Sequence, residues 1–212
     1  MILRKTSLRS RVRWAIWIPV LTTIITATSS LISVYMQQYM RREEYMKTDV
    51  VVKSAQEDEK LNTLLRTILD YYKCDRVVLF QIHNGYTFYN SGKSFQRTSV
   101  TNEVTSTGTS TVIQKYQSIP LSVFSDFIND ISSEGRTLMV PDVTVEKRVA
   151  VKGILESTGV ISEYAVGVWT ADGKLIGALS IDFVKEKMIL DKNQLNYLVD
   201  KAKTVSLFLM KE

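Results

Sequence analysis

The sequence is poor in the residues that build reactive and metal sites. One cysteine, Cys74, and one histidine, His83, occur among its 212 residues. A single cysteine excludes an internal disulfide, and neither residue has the Cys/His companions of a metal centre. The two do not form a familiar nucleophile–base spacing, so Cys74 reads as a small apolar residue at a helix end. There is no glycine-rich phosphate loop and no serine-hydrolase elbow. The chain is therefore expected not to be an enzyme. No residue identifies a metal or a cofactor.

Acidic residues are missing from the first 40 positions, where Arg4, Lys5, Arg9, Arg11 and Arg13 stand alone. The net charge of +5 belongs to this end. A nucleic-acid-binding face is thereby excluded. Charges of either sign are missing from Trp14 to Tyr39. A stretch from Trp14 to Met36 would rise about 34 Å as a helix, enough for a bilayer core. Arg11, Arg13, Trp14, Trp17, Tyr35 and Tyr39 are placed as interfacial anchors. The expectation is a signal-anchor. The competing reading is a cleaved signal peptide with small residues at Ala27 to Ser30, but Tyr35, Met36 and Tyr39 carry the apolar stretch past such a site. The lysine and arginine bias orients the N-terminus to the cytoplasm and the remainder to the periplasm, on an inner membrane.

Thr22, Thr26, Ser29 and Ser33 recur at helical spacing and form one hydroxyl face of this span. Two readings stay open. The hydroxyls bond back to their own helix, or the face meets other copies or water in a homo-oligomer.

Glycine and proline are absent from Val20 to Asn84. Residues 37 to about 72 therefore read as a long helix, with Leu61, Leu64, Leu65, Ile68, Leu69 and Tyr72 on its packed face. Strands are expected over Arg76 to Ile82 and Phe95 to Val104. Between them His83-Asn84-Gly85 reads as a turn and a candidate pocket or partner loop. Helices are expected over Leu121–Ile131 and Glu146–Ser157, with a short strand, Thr137–Val140, between them. The clearest signal is a hairpin, Glu163–Thr170 and Lys174–Phe183, around Asp172-Gly173. A last helix starts at the N-cap Asp191 and presents Leu195, Leu198, Val199, Ala202, Val205, Leu207 and Phe208 inward. The acids Glu163, Asp172, Asp182 and Asp191 are expected in surface turns and caps.

This element order predicts an α+β domain with a central, mainly antiparallel sheet flanked by helices. It resembles the GAF and PAS superfamily of sensory domains over residues 58–212. The expected layout is a basic tail (1–13), a transmembrane helix (14–36), a helical connector (37–57) and this domain. A second resemblance, strongest after Gly159, is to the class III lysis holins of T-even phages, which combine one N-terminal span with a periplasmic globular domain. That resemblance implies self-assembly in the lipid bilayer into lesions that release an endolysin, with an antiholin binding the outer domain. The alternative is a membrane-tethered sensor that binds a small ligand and signals through a partner, since no kinase, cyclase or DNA-binding module appears in the sequence.

Overall fold

The computed structural model describes residues 22, 23, 25–39, 48–87, 94–133 and 135–210. The chain divides into two compact units, Met1–Ala55 and Gln56–Glu212. In the first, residues 25–39 are helical (α1). Among the described residues no helix is long and apolar enough to cross a membrane. The expected span lies partly outside them, as do Arg11, Arg13, Trp14 and Trp17. Tyr35 and Tyr39 lie on α1 and are exposed.

The helix α2, Thr48–Tyr72, follows. The second unit then runs β1 (Arg76–Thr87), β2 (Ser94–Thr105), β3 (Ile119–Pro120), a 3-10 turn (Leu121–Phe124), α3 (Ser125–Ile131), β4 (Thr137–Val140), a 3-10 turn (Val143–Val145), α4 (Val149–Glu156), β5 (Ser162–Trp169), β6 (Leu175–Phe183) and α5 (Lys192–Leu209). The strands form one six-stranded sheet in the order β3-β2-β1-β6-β5-β4, antiparallel at every pairing.

Strand parity divides the core. Val77 and Leu79 of β1, Tyr164, Val166 and Val168 of β5, and Leu179, Ile181 and Phe183 of β6 meet α2 and α5 on one face. Leu61, Leu65, Ile68 and Tyr72 of α2 pack there against Leu198, Ala202 and Val205 of α5. Fully buried leucines and isoleucines such as Leu65 and Ile68 each stabilise the domain by roughly 1.5–3 kcal/mol. The α2–α5 pair is fastened by the Tyr72 hydroxyl, which donates to the Gln194 carbonyl at 2.5 Å, and by the Tyr71–Tyr197 stack at 4.0 Å. Alternate residues face the other way, toward α3 and α4. There Ile131, Leu138, Val140, Val151, Leu155, Ala165 and Ala178 form a second cluster, and Val78, Val100 and Val112 a third.

The hairpin closes where Asp-Gly is expected to close it: Gly173 takes φ +80° and donates its N–H to the Thr170 carbonyl. Asp191 caps α5 by accepting from the Gln194 N–H at 2.8 Å, while the Gln194 side chain accepts from the Asp191 N–H, a reciprocal capping box.

Four expectations need correction. His83-Asn84-Gly85 is no turn. It continues β1, with His83 opposite Arg97 and Asn84 opposite Gln96. Gly85 serves close approach rather than positive φ, because a β-carbon there would collide with the Phe95 carbonyl. The helix expected over Leu121–Ile131 begins as a 3-10 turn, and its Val123 is exposed rather than inward. Leu207, expected inward, is 60% exposed on α5. Glu163 and Asp182, expected at the surface, are buried.

Candidate functional site

On the sheet face opposite α2 and α5 lies a cavity of about 50 Å³. Its floor is the in-phase residues of the central strands: Arg76, Val78, Phe80 and Ile82 of β1, Ala178, Ser180 and Asp182 of β6, and Glu163 of β5. Gly177 also borders it. That position must be glycine because a β-carbon would collide with the Phe80 carbonyl across the β1–β6 pairing. The roof comes from three segments. Val112 and Tyr116 belong to the loop after β2, Phe124 and Phe127 to the 3-10 turn and α3, and Val151 and Leu155 to α4. The rings of Phe80, Tyr116, Phe124 and Phe127 form one cluster with centroids 6.1–6.5 Å apart.

Polar groups hold the roof in place. The Glu103 carboxylate on β2 accepts from the Val112 and Ile113 amides at 2.8 and 2.9 Å and from the Thr111 hydroxyl, anchoring the loop. Lys115 Nζ donates to the Ser157 carbonyl at 2.8 Å, joining that loop to the end of α4. Arg148, just before α4, pairs with Glu146 at 2.7 Å and with Asp130 of α3. Hydrogen bonds from Arg148 hold the Glu146 carboxyl down at a pKa of about 2, against the opposing effect of burial.

The lining is mainly apolar, with Thr98, Asp126 and Thr158 as polar members, and its densest charged cluster gathers at one end. There Arg76, 1% exposed, donates from Nε to Asp182 Oδ2 at 2.7 Å and from Nη1 to the Ser110 carbonyl at 3.1 Å. Glu103 Oε1 lies 4.0 Å from the same Nε. Across the next strand pairing Glu163 is registered directly opposite Asp182. Glu163 is 5% exposed, and its Oε2 has no hydrogen-bond partner. Burial and the neighbouring Asp182 push the Glu163 pKa well above the carboxylate range, with Arg76 and Arg148 opposing. Burial raises Asp182 as well, and the Arg76 guanidinium opposes this without cancelling it. The two acids titrate as a pair, and burial favours the protonated form of each.

The sequence-predicted candidates lie elsewhere. His83 is exposed and shares a hydrogen bond of 3.0 Å with Ser99. With Asn84, Gln96, Lys174 and Ile176 it borders an open surface groove. Gly85 is not among the groove's residues. On α1, Thr26 donates to the Thr22 and Thr23 carbonyls at 3.0 Å, and Ser29 donates to the Thr26 carbonyl at 2.9 Å. Cys74 is buried at the end of α2, where burial and the nearby Asp182 raise its pKa. Among the described residues no group of three or more His, Cys, Asp or Glu is placed to hold a metal ion.

The site that sequence patterning missed is the Arg76–Asp182–Glu163 cluster. Its signal was one base and two acids at or near the ends of three strands whose buried positions are mostly apolar. Residues there are buried on both sheet faces, so a charge must find a partner.

No family model matches the sequence, and no curated protein matches it. Solved structures do. The chain is similar to the PixJ GAF domain of Thermosynechococcus elongatus in its blue-light-absorbing form, with 18% identity, TM-score 0.58, and coverage of 73% of this chain and 85% of that one. A far-red-absorbing dark state with bound biliverdin IXa aligns at 12% identity and TM-score 0.55, over 75% of this chain and 96% of that one. A domain of a putative two-component sensor histidine kinase from Sinorhizobium meliloti aligns at 15% identity and TM-score 0.51, over 73% and 91%. The fold is that of a GAF domain. These findings correct the holin reading: the structures named above are light-absorbing domains and a domain of a putative sensor histidine kinase, and nothing in them supports a lysis protein. The reading as a lysis protein gives way to a GAF-like α+β fold.

Proposed function

We propose that the domain is a small-molecule sensor: a ligand enters the cavity between the sheet and α3/α4, and occupancy is passed to a partner protein through α2 and α5. The observation that carries this reading is a cavity on the sheet face opposite the α2–α5 pair, mainly apolar in its lining and with a charged cluster at Arg76, Glu163 and Asp182. Such a pocket, apolar with a few convergent polar groups, is the form ligand sites take. The two helix termini that frame the domain rest on the same strands that floor the cavity. A shift of β1 or β6 against a ligand thus acts directly on the residues that seat α2 and α5.

The GAF neighbours favour a sensory role, and one of them holds biliverdin. A linear tetrapyrrole does not fit here as the cavity stands. Its volume, about 50 Å³, falls below the roughly 300–1,000 Å³ of drug-sized sites, so the ligand is a small molecule with few heavy atoms.

A thermal-shift screen of small apolar compounds on the full chain tests the reading, run in parallel on Ala178→Leu. Ala178 is buried on the cavity floor, and a leucine there fills the space. Stabilisation of the wild-type chain that disappears in the filled variant supports cavity binding. Stabilisation that survives filling places the ligand elsewhere and overturns it.

A further inference from the structure

Resting on the sensor reading above, we infer that the cavity is built for a small organic ammonium ion, its cationic head against Glu163 and its apolar body directed toward the aromatic cluster.

Three observations converge. The first is the free Glu163 oxygen. Buried polar atoms without partners are rare and costly, and this one belongs to a side chain that lines the cavity. A ligand N–H donor in the cavity would satisfy it. The second is the charge balance. At this end of the cavity one guanidinium, Arg76, faces three carboxyl groups, those of Asp182, Glu103 and Glu163. Arg148, which also acts on Glu163, is already paired with Glu146 and Asp130. Tyr116, whose hydroxyl donates to the Ile154 carbonyl at 3.5 Å, and Asp126 are the other titratable groups that line the cavity. The place short of charge is therefore one for a cation, not an anion. A carboxylate or phosphate head would meet the Asp182 and Glu163 carboxyls in a low-dielectric setting.

The third is polarity along the strands. Arg76 and Phe80 point to the same face of β1 and stand four residues apart, about 13 Å along the strand. Asp182 and Glu163 occupy one end and the rings of Phe80, Phe124 and Phe127 the other, with Asp126, which lies between Phe124 and Phe127 in the chain, as a further acid of the lining. A head-and-tail molecule matches that gradient: an amine on a short branched or single-ring body. A bare metal ion matches it poorly, because the acidic end lacks a metal-ligand group among the described residues.

The chemistry carries its own signature. Burial and the neighbouring Asp182 favour the protonated Glu163 carboxyl in the empty domain. An ammonium ion that takes its place beside the carboxyl requires the carboxylate, so binding expels the Glu163 proton to solvent while the N–H of the ligand donates to the freed oxygen. No other bond changes.

The test uses isobutylamine, isobutanol and isobutyrate, which share one apolar body and differ in the head. Each is titrated calorimetrically into the full chain in two buffers of different ionisation enthalpy. The amine is expected to bind at least roughly tenfold more tightly than the alcohol or the acid, since its charge-assisted hydrogen bond is the stronger one. It is also expected to release close to one proton. Glu163→Gln, nearly isosteric, removes the proton release and brings the amine down to the affinity of the alcohol. Glu163→Asp, which keeps the acid, retains a reduced preference. Alcohol or acid binding as tightly as the amine overturns the inference, as does an amine preference that survives Glu163→Gln. If the alcohol binds and Ala178→Leu abolishes it, the cavity remains a ligand site and only the ammonium assignment falls. If no probe binds, both fall.

Discussion

Glu163 on β5 stands directly opposite Asp182 on β6, and both carboxyls are buried on the cavity side of the sheet. Cross-strand acids repel, and burial compounds the cost. Arg76 relieves Asp182 through a 2.7 Å hydrogen bond and leaves Glu163 without one. A fold selected for stability alone would place an apolar residue there. The pair is the kind of local conflict that marks a functional site.

The first prediction follows from the raised Glu163 pKa. An acid whose pKa rises on folding stabilises the fold fully below its unfolded value, about 4.3, and loses that contribution as pH climbs through the folded value. Glu163→Gln is therefore expected to unfold at higher denaturant concentration than wild type at pH 8, by about 1–3 kcal/mol, and to match it near pH 4. Urea titrations across that range measure it. Equal stability of the two proteins at pH 8 would contradict the assignment.

Asp75 gives the opposite sign. Burial works against its carboxylate, but the Lys185 ammonium, the Val184 and Lys185 amides and the Ser106 hydroxyl hold its pKa below the usual range. These bonds tie the start of β1 to the chain just after β6. A depressed pKa contributes stability above the unfolded value, and that contribution is lost as pH falls through the folded one. Asp75→Asn should cost about 1–3 kcal/mol at pH 7, with a shrinking difference under acid, read by chemical denaturation.

Arg148 fastens the cavity roof. It joins Glu146, ahead of α4, to Asp130 on α3. Arg148→Ala should raise amide exchange in α3 and α4 several-fold while leaving α2 and α5 unchanged, since those pack on the other sheet face. Hydrogen-exchange mass spectrometry resolves the two faces. A uniform rise across all helices would mean global destabilisation, not a loosened roof.

Gly177 carries the closest backbone approach of the sheet floor. Gly177→Ala drives a methyl into the Phe80 carbonyl on the neighbouring strand. The expected loss is about 2–4 kcal/mol, because the central β1–β6 pairing must shift. Thermal unfolding reports it.

Much of the fold was legible. The Asp172-Gly173 hairpin, the Asp191-capped helix and the α2 apolar stripe each rest on a local rule that tertiary packing reinforced. The His83-Asn84-Gly85 segment misled because Asn-Gly commonly turns a chain. Here the glycine serves the Phe95 approach, and β1 runs on to Thr87. The short edge strand Ile119–Pro120 had no signal, being two residues whose pairing with Arg97 and Thr98 is set by the fold. The site itself escaped because Glu163 and Asp182 sit near strand ends, where acids usually cap or turn. Only the register of β5 against β6 brings them together, and that register is not local information.

The most direct test of the central claim is residue-resolved chemical-shift mapping of the full chain titrated with isobutylamine. Saturable shifts at Val78, Val112, Tyr116, Glu163 and Ala178, lost in Ala178→Leu, are the predicted result. Shifts confined to the surface groove at His83 and Lys174, or none at all, would contradict a ligand-binding cavity on this face of the sheet.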